Sequence, residues 1–156
     1  MKKILLIMLI FPICYLVGCS KNSTNQEKIG TDMCNEIMRC IHEEDIESFK
    51  SMFCDQISDA HDLDSEIKLA FDFFDGKILS HDKFLIGGGD SMRDGELTDS
   101  HIVPIIDNIK TDTGKTYKIT YLSYIVLNQN ERLIGMQYMI IRDENDETIM
   151  IGEYIY

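Results

Sequence analysis

The chain contains little tryptophan, proline, histidine or basic residue. Its 156 residues include no tryptophan, two prolines and four histidines, and 15 lysines and arginines stand against 27 acids. An excess of acid repels phosphate backbones and anionic headgroups, so the composition weighs against a nucleic-acid partner. The histidines are scattered, and no Cys-x-x-Cys pair or Gly-x-Ser-x-Gly segment occurs. The sequence therefore predicts no metal, no cofactor and no serine nucleophile.

Three segments begin like known catalytic or binding motifs and then depart from them. Gly114-Lys115-Thr116 ends like a phosphate-binding loop, but Ile109 stands where the first glycine is needed. His42-Glu43 opens like a zinc-protease helix, but Ile46 replaces the second histidine. The segment 143–147 resembles a calcium loop without its central glycine. These failures leave enzyme activity uncertain and favour a binding role.

The N-terminus combines a basic start with a short apolar run. Two lysines precede 14 uncharged residues, Ile4 to Val17. A transmembrane helix needs about 20 residues, so this run fits the core of a signal peptide. It ends in Leu16-Val17-Gly18-Cys19, which resembles the bacterial lipobox. That resemblance implies removal of residues 1–18 and a diacylglycerol on Cys19, which anchors the protein at the extracytoplasmic face of the cell membrane. An ordinary secretory signal is the alternative.

The chain after the signal peptide has the size of one domain. Its 138 residues carry 13 basic and 27 acidic side chains, a net charge of −14. Residues 19–27 are polar and aperiodic and are interpreted as a lipidated tether. Residues 28–156 are interpreted as a single α+β domain.

Hydrophobic periodicity divides this domain into helices and strands. Apolar residues at helical spacing predict three helices, from Gln26 to Glu43, after Asp45, and through Ile67 to a stop at Gly76. Alternation then predicts a strand at 77–81, extended by 83–86, and a glycine-rich loop over 87–96. Four further strands are predicted at 101–111, 116–128, 132–142 and 148–156. Short connections make the consecutive strands of this curved sheet antiparallel neighbours.

One face of the two middle strands contains candidate ligand-binding residues. Pairing them through the turn at 128–130 places Ser123 opposite Met136 and Tyr121 opposite Tyr138. Such a face, apolar but carrying hydroxyl groups, suits a pocket for a partly apolar small ligand or the core itself. Both interpretations stay open.

The other face of these strands is apolar as well. Its members are Leu122, Tyr124, Val126, Met139 and Ile141. A patch of this size on a monomer indicates an interface with a second copy or with another protein.

Two acids and three cysteines complete the set of candidates. Asp107 and Glu153 lie among alternating apolar residues, where burial would raise a carboxyl pKa and suit a general base. A place at a strand end or on the outer face is the alternative. Cys34, Cys40 and Cys54 are expected to be free, buried thiols, because the first two are too far apart on one helix to form a disulfide.

Helices followed by a curved antiparallel sheet resemble the nuclear transport factor 2-like (cystatin-like) cone fold. More specifically, the domain resembles a lipoprotein family of anaerobic Gram-positive bacteria classed as a domain of unknown function. The similar segments are Asp45–Phe53, Phe73–Lys77 and Ile109–Tyr117, and the similarity covers most of residues 28–142. The family has no assigned reaction, so the resemblance implies a fold and carries over no catalytic residue. A binding module is therefore the expected function, and an isomerase or hydrolase using a carboxylate in the cone is the alternative.

Overall fold

The computed structural model describes residues 23–155, which fold into four α-helices followed by a six-stranded antiparallel sheet. The predicted signal peptide, the lipobox and Cys19 lie outside the described residues. Within the described part of the chain, no helix is long and apolar enough to cross a membrane. The α+β class predicted from the sequence is confirmed.

The helices form a layer whose buried stripe faces the sheet. They are α1 (Ser23–Glu43), α2 (Ile46–Lys50), α3 (Asp55–Ala60) and α4 (Leu63–Asp72). Side-chain caps start two of them, because Asp45 accepts from Ser48 N and Asp62 accepts from Ser65 N. Helix α1 begins at Ser23, inside the segment interpreted as a tether.

Helix α3 was missed by the sequence prediction. It has six residues, of which only Ile57 is buried, so its periodic pattern is too short to recognise. Its N-cap, Cys54, makes no side-chain capping hydrogen bond, and the usual signal of a helix start is therefore missing as well.

The six strands form one antiparallel sheet. They are β1 (Ile78–Ser80), β2 (Leu85–Arg93), β3 (Glu96–Thr111), β4 (Thr116–Leu127), β5 (Gly135–Asp143) and β6 (Thr148–Gly152). The order is β1-β3-β4-β5-β6, and β2 pairs with β3 on the edge that β1 also uses.

The predicted glycine-rich loop over 87–96 is wrong, because most of this segment belongs to β2 and to the start of β3. Gly88 pairs with Ile102, and a Cβ atom built on Gly88 would lie 2.3 Å from the His101 carbonyl oxygen. The glycines therefore allow two strand backbones to approach closely, a role that composition alone cannot distinguish from a loop.

The predicted register of β4 and β5 holds at one end only. Ser123 pairs with Met136 as predicted, but a shift follows, and Leu122 rather than Tyr121 pairs with Tyr138. Gln137 is the extra residue at this bulge, and an inserted residue moves every later side chain of its strand to the other face.

The core lies between the helices and one face of the sheet. Fully buried sheet residues such as Ile106, Ile119 and Met139 pack in one cluster with Ile37 and Phe49 of the helices. The three cysteines of the described chain are buried and free, as predicted. Met139 and Ile141 belong to this cluster, so their assignment to the outer face of the sheet is wrong.

Candidate functional site

Three of the four predicted pocket residues are core residues. Tyr121 and Met136 have no exposed surface, and Ser123 is 3% exposed. The Tyr121 hydroxyl lies 3.5 Å from Cys34 Sγ, and burial raises the pKa of this hydroxyl well above its usual range. The space between these residues is filled by protein, which favours the core interpretation that the sequence had left open.

Tyr138 lies on the opposite face of the sheet from these three. It pairs with Leu122, and its ring packs edge-on against Tyr154 at 5.9 Å between centroids. The bulge at Gln137 is the physical reason, because it reverses the alternation that the sequence pattern assumed. The structure therefore does not bring the predicted set together.

The two candidate acids lie outside the core. Asp107 sits next to a bulge in β3, where Oδ1 accepts from Asn108 N and Oδ2 lies 3.3 Å from Lys118 Nζ. Glu153 follows β6 with a side chain that is 56% exposed, and its Oε1 lies 3.7 Å from His61 Nε2. Neither carboxylate has the apolar surroundings that the general-base hypothesis requires.

His61 connects the helical layer to the last strand. Its Nδ1 lies 2.8 Å from Glu66 Oε1, while Glu66 Oε2 accepts from the backbone N–H of Gly152. The hydrogen bond to Glu66 and the nearby Glu153 raise the pKa of His61 above its ordinary value. These hydrogen bonds attach the end of β6 to the helical layer, and the arrangement contains no nucleophile.

A groove with a volume of about 630 Å³ lies between the helical layer and the first strand. We call it the helix–strand groove. It is lined by the end of α1, the start of α2, one side of α4, and the connection to β1, the residues being Ile41, His42, Glu44, Ile46, Lys68, Phe71, Asp72, Phe74, Gly76, Lys77 and Ile78. Sequence reasoning missed it because its residues come from four elements and share no motif.

The helix–strand groove has an apolar floor and a charged rim. Phe71, Phe74 and Ile78 are partly buried and pack against the core cluster. Lys68 and Lys77 are exposed on the rim, together with the acids Glu44, which follows α1, and Asp72 of α4. Among residues 23–155, neither lysine forms an ion pair. Charges of both signs are thus available to a ligand.

Glu44 gives the groove rim an unusual backbone. Glu44 follows the end of α1 with φ of +54°. The backbone N–H of the next residue, Asp45, donates a hydrogen bond to the Cys40 carbonyl oxygen. Helices commonly end in this way with glycine, since a side chain in the left-handed region costs roughly 1 kcal/mol or more. A glutamate held there is a mark of functional sites as well as of tight turns.

Two smaller hollows lie elsewhere. One of about 330 Å³ opens on the outer face of the sheet, between Lys118, Thr120, Ile140 and Arg142. Another of about 380 Å³ lies beside the start of β2, lined by Thr31 and residues 81–84. Within the described part of the chain, no three histidines, cysteines or acids are placed to hold a metal ion.

Comparison with known proteins gives a family and no curated relative. The model of a family described as "Domain of unknown function (DUF5104)" matches residues 36–147. This match runs from the middle of α1 to the turn before β6, so it includes the helix–strand groove and most of the sheet. No curated protein matches the chain. The chain therefore belongs to the DUF5104 family of domains of unknown function.

Proposed function

We propose that this chain is a lipid-anchored, extracytoplasmic binding protein that holds a small, partly apolar ligand in the helix–strand groove. The observation that carries the proposal is a difference between the buried face of the sheet and the groove. The side chains on the buried face have almost no exposed surface, whereas the groove has a volume of about 630 Å³ beside an apolar floor. A volume of this size accepts a small molecule or a few residues of peptide.

The chemistry of the groove suggests the class of ligand. Phe71 and Phe74 provide flat apolar surface. Lys68 and Lys77 provide positive charge, and Glu44 provides negative charge. A zwitterion with an apolar body, such as a short peptide, satisfies both requirements. A purely apolar ligand would leave the charged rim without partners.

The nuclear transport factor 2-like cone is the fold we propose for this domain. Helices precede the sheet, and register shifts in β3–β4 and β4–β5 pairing mark bulges, which curve a sheet. In this proposal the inside of the cone is core, and the ligand lies at the rim where the helices meet β1.

The anchor is proposed on the sequence alone. Leu16-Val17-Gly18-Cys19 follows a 14-residue apolar run, as in the lipoproteins of Gram-positive bacteria that the domain resembles. Cys19→Ala should leave an unprocessed precursor or release the domain from membranes. A variant that is still processed and still membrane-bound in fractionation would contradict lipidation.

Binding in the helix–strand groove is tested by thermal unfolding of the protein with a library of tripeptides. A ligand at 100 times its dissociation constant adds about 2.7 kcal/mol to the free energy of unfolding. Lys68→Gln with Lys77→Gln should remove most of that gain. Lys28→Gln is the matched control, because Lys28 is exposed near the start of α1, whereas the groove is lined by the end of that helix. Equal gains in the control and in the double variant would contradict the proposal.

A second candidate is self-association through the outer face of the sheet. The strand register aligns five side chains in one row across this face, which we call the outer row: Leu85, Ile105, Thr120, Ile140 and Met150. Its ends, Leu85 and Met150, are 59% and 51% exposed. A row across five strands in which four of the five side chains are apolar favours an interface with a second copy or another protein.

Light scattering decides between a dimer and a monomer. Self-association predicts twice the monomer mass at high concentration and loss of the dimer in Met150→Lys. The conservative change Met150→Leu should keep it. A monomer at every concentration would dismiss self-association and leave the groove proposal unaffected.

The alternative to binding is an isomerase or hydrolase that works through a carboxylate. Asp107 and Glu153 each face a basic group and not a closed apolar pocket, which argues against either as general base. Product formation that is abolished in Asp107→Asn, with the fold intact, would favour the enzyme over the binding protein.

A further inference from the structure

Strand β2 has an open edge. It pairs with β3 over Leu85–Arg93, and among residues 23–155 no bridge or backbone–backbone hydrogen bond from another element reaches its other side. Helix α1 contacts β2 through Gln26, whose Nε2 donates to the Gly89 carbonyl oxygen. Sheets usually protect such edges with lysine, proline or a covering segment, because free N–H and C=O groups recruit another strand. The nine residues of β2 contain neither lysine nor proline. A bulge after Ser91 limits the regular edge to residues 85–91.

The strand register shows which backbone groups face outwards. On this side of β3 the Asp107 carbonyl accepts from Asp82 N. Because alternate residues of a strand point the same way, Ile105, Val103 and His101 also turn their backbone groups towards β2. Their partners in β2 are residues 85, 87 and 89. The backbone groups of residues 86, 88 and 90 consequently point to the open side.

Glycine keeps this edge accessible. Gly87 and Gly88 are exposed, and Gly89 is partly exposed. Three consecutive residues without side chains let another backbone approach closely, which is a recognised use of glycine in strands. The middle of the open edge therefore carries hydrogen-bonding groups, and β2 has no side chains at residues 87–89.

The charge beside the edge selects a basic occupant. Asp90, Asp94 and Glu96 are exposed beside one exposed base, Arg93, and in the described part of the chain none of these acids forms an ion pair. Asp90 accepts a hydrogen bond from the uncharged Gln26, so the acids outnumber the base here. Pairing β2 with a second copy would bring two such acidic clusters together. A cationic segment would instead neutralise them.

A hollow at the start of β2 can take a side chain of the occupant. It has a volume of about 380 Å³ and lies between Thr31 of α1 and residues 81–84. The rings of His81 and Phe84 stack there at 4.9 Å between centroids. In strand addition, backbone bonds provide affinity and pockets of this kind provide specificity.

We propose that β2 binds an extended, basic segment of a partner protein as an added strand, with one side chain in the hollow beside Phe84. This surface is separate from the helix–strand groove, so the failure of one proposal would not contradict the other.

The test uses the full chain in detergent micelles and the labelled peptide Lys-Val-Lys-Val-Lys-Val-Lys. Binding is measured by fluorescence anisotropy, and backbone exchange by NMR. We expect the amides of residues 86, 88 and 90 to exchange more slowly with peptide bound. Two isomers of the peptide are compared, one N-methylated at its three valines and one at its second, third and fourth lysines. Only one of the two should bind at least about tenfold more weakly than the unmethylated peptide, since only alternate N–H groups face β2.

Charge variants give an independent arm. Asp94→Asn and Glu96→Gln should each weaken binding about two- to fivefold, the size of an exposed ion pair. Glu147→Gln, in the turn before β6, should change nothing. The acidic peptide Glu-Val-Glu-Val-Glu-Val-Glu should not bind. Absence of binding, equal affinity of the two N-methyl isomers, or slowed exchange only at Lys68–Ile78 would overturn the proposal.

Discussion

At the scale of single residues, His61 makes the fold sensitive to pH. Its imidazole lies between Glu66 and Glu153, and the hydrogen bond to Glu66 raises its pKa above the ordinary 6.5. A raised folded-state pKa means that protonation stabilises the fold. This contribution is complete below pH 6.5 and is lost as the pH rises through the folded-state pKa.

We therefore predict a pH-dependent difference between the protein and its His61→Gln variant. The difference in free energy of unfolding should be largest near pH 5, at most about 1 kcal/mol for a partly exposed pair. It should shrink by pH 8. Denaturant titrations at several pH values measure this difference in free energy of unfolding. A difference that grows with pH would contradict stabilisation by protonated His61 beside Glu66.

Glu44 is a second residue whose effect can be stated. Its φ of +54° costs a side chain roughly 1 kcal/mol. Glu44→Gly should thus stabilise the protein by about 0.5–1 kcal/mol and weaken ligand binding if the carboxylate is used at the groove rim. The neighbouring change Glu43→Gly, at the last residue of α1, should destabilise it by about 0.5–1 kcal/mol, because it removes a helical side chain that pairs with Arg39. Destabilisation by both changes would argue against strain at Glu44.

At the scale of elements, the sequence predicts most helices and strands but not their irregularities. Long periodic segments such as α1 and β4 are recognisable because each buries one regular face. The bulge at Gln137 is not, since no residue type is required there, and it moved Tyr138, Met139 and Ile141 to unexpected faces. The glycines of β2 were predicted as a loop, because their close strand approach is a tertiary property.

This close approach gives a test of the β2–β3 pair. Gly88→Ala puts a methyl group 2.3 Å from the His101 carbonyl oxygen, and the strands must separate to accept it. We predict a loss of about 1–3 kcal/mol in the free energy of unfolding. Ser91→Ala, on the same strand and exposed, should change it by less than about 0.5 kcal/mol. Equal effects of the two changes would contradict the observed pairing.

At the scale of the whole molecule, the candidate site lies at the edge of the helical layer, whereas the sequence predicted one in the middle of the sheet. The sequence pattern placed tyrosine and serine on one strand face, and three of those residues became core because the helices cover that face. The helix–strand groove joins residues 41 to 78, from four elements, so it exists only once the chain has folded. Periodicity locates a face of an element but does not locate a gap between elements.

The most direct test of binding at the helix–strand groove is NMR chemical-shift mapping with the tripeptide Ala-Phe-Ala. Binding in the groove should give saturable shifts at Phe71, Phe74, Lys77 and Ile78, with Tyr121 and Met136 unchanged. Saturable shifts confined to Tyr121, Ser123 and Met136 would show that ligands enter the core instead. Such a result would contradict the proposed site.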